Sequence, residues 1–174
     1  MKKYLLSLPL LAALISPSYA ASKEDSYKIN TVKTMYYAHI KALKANENAD
    51  ELDTIYLYSS KELKKAIALV KADAMSGYIV EDEDDISECS ESVYDLHLIE
   101  GNGYDVSLVD EFDFKMLKNG KVRADMWVGA KRDSEREHYS KDFSLSCHGD
   151  TCKITDIFDA NGTSAIAEVE RSCL

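Results

Sequence analysis

The chain has 174 residues, 45% of them hydrophobic, with 31 acidic against 21 basic side chains and a formal charge of −10. That length suits one domain and can bury a sizeable core. The acidity repels phosphate backbones and anionic lipid, which argues against nucleic acid and membrane surfaces as partners.

In chain order, Lys2 and Lys3 precede an apolar run from Tyr4 to Ile15, broken only by Ser7 and Pro9. Ser18 and Ala20 then supply a small-x-small cleavage site, so residues 1–20 read as an export signal cut after Ala20. The run is shorter than the roughly 20 apolar residues that span a bilayer, and no stable membrane anchor is expected. The predicted product is a single α+β domain, 21–174, in the periplasm or secreted. Removing Lys2 and Lys3 leaves 19 basic against 31 acidic residues, a charge of −12.

Residues 24–46 read as a helix, because Ile29, Val32, Tyr36, Ile40 and Leu43 recur at three- and four-residue steps. The polar segment Asn46 to Asp53 reads as a loop. A second helix is expected from Ser59, with Glu62 completing a capping box. Leu63, Ile67, Val70 and Ala74 would form its buried face, and Ser76 and Gly77 its end. Glu81, Asp82, Glu83, Asp84 and Asp85 then form an unbroken acidic run, with Glu88 and Glu91 close behind. Self-repulsion predicts an extended, solvated loop over 81–91. It lacks the glycine turn and spaced ligands of a calcium loop, and Glu81–Asp85 with Glu88 are the candidate docking residues for a basic protein partner.

From about residue 104 the period changes to two. A three-residue loop with Gly120 left-handed pairs Phe114 with Ala124 and Phe112 with Met126, which keeps one face apolar. Asp113 then lies near Asp125 on the outer face, partly offset diagonally by Lys115 and Arg123. A charged loop from Arg132 to Glu137 leads to a third strand at 138–147 and a fourth at 152–158. Asn161, Gly162 and Thr163 break the pattern, and Ser164 to Cys173 form a closing helix. Helices followed by an antiparallel meander of about four strands make an α+β order.

Four cysteines in an exported chain predict two disulfides. Cys147 opposite Cys152 across His148–Thr151 also sets Leu145 opposite Ile154, so one register serves both the bond and the apolar face. Cys89 is left for Cys173, which shares a helical stripe with Ile166 and Val169 and would tether the closing helix to the middle of the chain. No paired Cys-x-x-Cys favours a metal site. His39, His97, His138 and His148 are scattered, no Ser or Cys nucleophile motif appears, and Gly101–Gly103 lacks the context of a phosphate loop. Neither a catalytic residue nor a cofactor or metal is assigned.

The early aromatic helix (Met35, Tyr36, Tyr37), the Leu57–Leu63 run Leu-Tyr-Ser-Ser-Lys-Glu-Leu and the ending Cys152–Ile157 before a Ser-containing terminal helix resemble small secreted bacterial proteins with a cystatin-like or nuclear-transport-factor-two-like fold. The resemblance implies a cone of N-terminal helix on curved antiparallel sheet. Some relatives of that fold are immunity proteins against toxins, and others are enzymes. The leading expectation is therefore a periplasmic, non-enzymatic inhibitor or immunity protein that neutralises a basic exported enzyme or toxin. The alternative is a small-molecule-binding or hydrolytic cone with a pocket around Asp156, which alternation sets on the face of Ile154 and Phe158, together with Tyr36 and Tyr37.

Overall fold

A computed structural model describes residues 22–46, 48–77, 87–99, 105–131 and 136–174. The expected export signal, the acidic residues Glu81–Asp85 and the Gly101–Gly103 turn lie outside the described residues.

Helix α1 (Lys23–Ala45) begins at Ser22, whose Oγ accepts from the Asp25 amide while the Asp25 carboxylate accepts from the Ser22 amide. This reciprocal box satisfies two donors that a helix start leaves orphaned. The buried face of α1 is Val32, Met35, Tyr36 and His39, while Ile29, Ile40 and Leu43 are only partly buried. The expected stripe is thus turned toward Met35 and His39. The cause is a second neighbour, because α1 packs on all four strands and on another helix as well.

That neighbour is α2 (Glu51–Tyr58), whose first residues, Glu51 to Asp53, lie on ground expected to be loop. Asp50 Oδ1 accepts from the Leu52 amide at 2.8 Å, and Glu51 and Asp53 sit in the first turn, where the helix dipole favours negative charge. In α3 (Lys61–Gly77) the expected cap also moves by one residue. The Ser59 hydroxyl donates to the Ile55 carbonyl at 2.7 Å and closes α2, whereas Ser60 Oγ accepts from the Leu63 amide at 3.4 Å. The expected 81–91 loop ends early, in the short helices α4 (Glu88–Glu91) and α5 (Val93–Leu96).

Strands β1 (Val109–Met116), β2 (Val122–Val128), β3 (Glu137–His148) and β4 (Thr151–Phe158) form an open antiparallel sheet in the order β1-β2-β3-β4, and α6 (Ala165–Cys173) follows. The architecture is α+β. Phe112 pairs with Met126 and Phe114 with Ala124, as expected, and Gly120 has φ +82° in the intervening turn. Cys147 faces Cys152 and Leu145 faces Ile154, but beyond that point Ser144 faces Asp156 and Thr155 is left over as a bulge. The extra residue reverses the alternation. Ile157, not Asp156, joins Ile154 in the core, and the expectation that Asp156 and Phe158 share the face of Ile154 is corrected.

The main chain around the bulge is held from outside the sheet. The Ser60 amide donates to the Ile154 carbonyl at 2.7 Å, and Lys153 Nζ donates to the Leu57 carbonyl at 2.9 Å. The core between helices and sheet contains Val32, Met35, Tyr36, Ile55, Leu63 and Ile67 from the helices and Val122, Met126, Phe143, Ile154 and Ile157 from the strands. The disulfides are Cys89–Cys173, joining α4 to α6 across 84 residues, and Cys147–Cys152, closing the β3–β4 hairpin. Both suit an oxidising, extracytoplasmic compartment. Among the described residues no helix is long and apolar enough to cross a membrane.

Candidate functional site

The three residues expected around a pocket are not brought together. Tyr36 is fully buried, with the Phe112, Phe114 and Phe143 rings 5.5–5.9 Å from its own. Its hydroxyl donates to the Leu98 carbonyl at 2.8 Å. It therefore fills the space between α1 and the sheet instead of lining an opening. Tyr37, the next residue on the helix, is 48% exposed. The Asp156 carboxylate accepts from Ser164 Oγ at 2.6 Å and from the amides of Ile157 and Ile166 at 2.9 and 3.3 Å. Those partners place it at the start of α6, where an anionic acceptor meets the free amides of the first turn.

Of the expected docking residues, Glu88 is described, and it is exposed in the first turn of α4. Beside it stands a charged cluster that the sequence reading did not assemble. Asp73 of α3 accepts from Ser90 Oγ at 2.6 Å and also from Ser87 Oγ. Those hydrogen bonds hold its carboxyl below the usual range. Lys71, two residues earlier, binds Asp50 at 2.6 Å and Asp53 at 2.5 Å. Burial pushes the Asp50 carboxyl upward, but the Lys71 hydrogen bond, the Leu52 amide and the Lys71 charge outweigh it, so the net shift is downward.

An open apolar groove of about 250 Å³ lies within this cluster, formed by Leu52 of α2, Val70, Ala74 and Met75 of α3, and Val93 of α5. Ala74 had been expected on the buried face of α3. It is exposed instead, and Met75 is 75% exposed. The apolar stripe of α3 thus continues past the end of the core and into the groove. That overrun was the available sequence signal. Asp50, Lys71 and Ser90 complete the lining of the groove; Asp53 joins them through Lys71 and Asp73 through Ser90, whereas Glu88 lines a separate pocket beside α6. The acidic run 81–85 is covalently joined to its two flanks, the end of α3 and the start of α4.

The sheet face away from Tyr36 carries a second polar group. Asp113 pairs with Asp125 as expected, and Asp125 is only 3% exposed. Lys115 Nζ at 2.5 Å balances its charge, and His138 Nε2 lies 2.9 Å from its other carboxylate oxygen. Arg123, expected to help offset this pair, does feel the Asp125 charge, but its two-pronged hydrogen bond goes to Asp142 at 2.7 and 2.9 Å. The planar guanidinium matches a carboxylate across the β2–β3 register better than a diagonal one. The His138 ring lies 4.9 Å from that of Trp127. On the core side, Lys141 is fully buried and its Nζ donates to the Asp95 carbonyl at 3.2 Å, tying β3 to α5.

Fold and disulfides define the class as a doubly stapled α+β domain whose helix–sheet interface is occupied by its own side chains. No protein-family model, curated protein or solved structure matches the chain.

Proposed function

We propose that this protein is a non-enzymatic binding protein of the periplasm or extracellular medium, an inhibitor or immunity protein that neutralises a basic exported enzyme or toxin. One observation carries the reading: the space that a cone-fold enzyme would use as its pocket is filled by Tyr36 and its aromatic neighbours. Negative charge is meanwhile concentrated on the outside, at α4 and the flanks of α3. An acidic surface accelerates association with a basic cleft and makes it salt-dependent.

In the same reading residues 1–20 are removed after Ala20, and the helix-on-sheet arrangement is a cystatin-like or nuclear-transport-factor-two-like cone. The support for the cone is that α1 packs on every strand of a four-stranded meander. A hydrolytic role for Asp156 finds no support in a carboxylate spent on the first turn of α6.

The test is capture of periplasmic proteins on the oxidised protein, with mass spectrometry of what binds and assay of its activity. The expected result is one stoichiometric basic enzyme whose activity is lost in the complex. The triple variant D82N/D84N/D85N should then slow association by about tenfold at low salt, in line with the steering that acidic surfaces provide. An unchanged rate removes the acidic run from the interface.

A further inference from the structure

We infer that the groove between α3 and α5 is the docking site for an amphipathic, basic segment of a partner protein: an apolar side chain seated in the groove, with lysine or arginine on either side of it. The inference rests on the binding role proposed above and assigns that role a surface. Three features point to this occupant.

The groove floor is apolar, built from Leu52, Val70 and Val93, with Ala74 and Met75 at its open side. Its volume, about 250 Å³, admits one large aliphatic or aromatic side chain and is too small for a folded domain. Methionine is an adaptable lining residue, since its unbranched thioether reshapes around different apolar guests. Met75 is the most exposed large hydrophobic side chain among the described helices, so the groove offers contact area that the described residues do not cover.

Charge selects the flanks. Lys71 is already shared between Asp50 and Asp53, which leaves that trio one negative charge in excess. Asp73 adds another charge, and the hydrogen bonds from Ser87 and Ser90 hold its carboxyl below the usual range. Ser90 of α4, which donates to Asp73, lines the groove itself. The other lysines of α3, Lys61, Lys64 and Lys65, sit at its far end, so the cationic excess of the helix lies away from the groove. A cation brought beside an apolar anchor meets carboxylates on both sides, whereas an acidic segment is repelled. Such an arrangement sets which partner is accepted as well as how fast it arrives.

The test uses the full oxidised protein and a defined probe, a short peptide of alternating leucine and lysine clusters, with a leucine–glutamate peptide of the same pattern as control. Methyl-detected NMR reads the site. The proposal expects the basic peptide to shift the methyl signals of Met75, Val70, Val93 and Leu52, with affinity falling as salt rises, and the acidic peptide to shift none of them. Ala74→Arg puts bulk and positive charge into the groove at an exposed helical position and should weaken binding at least tenfold. Ala68→Arg adds the same charge on the same helix away from the groove lining and should change it less than threefold. Shifts confined to the sheet face or to α1, or equal losses from A74R and A68R, overturn the groove. Those two results leave the basic-partner reading standing, whereas failure to capture any basic protein defeats that reading independently of the peptide.

Discussion

Asp156 shows how a single carboxylate changes meaning with one residue of backbone register. On an unbroken strand it would point toward the core beside Ile154, where burial raises a carboxyl pKa and favours acid–base chemistry. After the Thr155 bulge it accepts one hydrogen bond from the adjacent Ile157 amide in β4 and two at the start of α6, from Ser164 and Ile166. Asp156→Ala should therefore cost about 1–3 kcal/mol of stability, the usual penalty for stranding partnered polar groups. Ser164→Ala, which removes the α6 cap, should cost about 1 kcal/mol. Because Ser164 Oγ donates to Asp156, the double variant should lose less than the sum of the two, and urea midpoints of the four proteins measure this. Asp50 makes a pH-dependent contribution. Its folded pKa is depressed from the ordinary 3.8, so its stabilisation is complete above that value and is lost as pH falls through the lower folded value. Asp50→Asn keeps a good cap for α2 but no charge for Lys71. It should flatten the fall in stability below about pH 4, and a pH series of thermal midpoints reads the difference in slope.

At the level of elements, the two staples are unequal. On the chain-entropy model the Cys89–Cys173 link, closing 84 residues, is worth about 4–5 kcal/mol, and the Cys147–Cys152 link about 2 kcal/mol. C89S/C173S should accordingly lower the urea midpoint roughly twice as far as C147S/C152S; the opposite order contradicts the assignment of the long link as the main constraint. Both pairings, the β1–β2 register, the β3–β4 register as far as Ile154 and the closing helix were legible in the sequence, because alternation, a turn glycine and paired cysteines all demanded the same alignment. Helix α2 was not. It is eight residues long and buries only Leu52, Thr54 and Ile55, too little to show a period. Its Asp50-Glu51-x-Asp53 start reads as loop polarity unless it is recognised as a cap and a charged first turn. The bulge was hidden for another reason, since no glycine or proline marks Thr155. The remaining clue was the three-residue spacing of Ile154 and Ile157, which suits a strand only if one residue is extra. The groove was missed because it depends on α2 and on the end of α3 together, and neither alone carries a motif.

Among the described residues, apolar side chains are gathered between α1, α3 and the sheet, and along the sequence the acidic residues are densest over 81–91. The stapled frame gives a binding surface little conformational freedom to lose on association, which favours affinity without a large interface. The helix–sheet interior offers no place for a substrate where Tyr36 stands. Under the proposed binding role the protein acts through its exterior, and its charge sets the sign of its partner. The most direct measurement is stopped-flow association of the oxidised protein with the enzyme it captures, at low and high salt, with the enzyme's activity read at saturation. The account predicts that the rate constant falls at least tenfold between about 20 and 500 mM salt, as expected for steering between opposite charges, and that activity disappears at one equivalent. A salt-independent rate, or an enzyme that stays fully active when saturated, would contradict it.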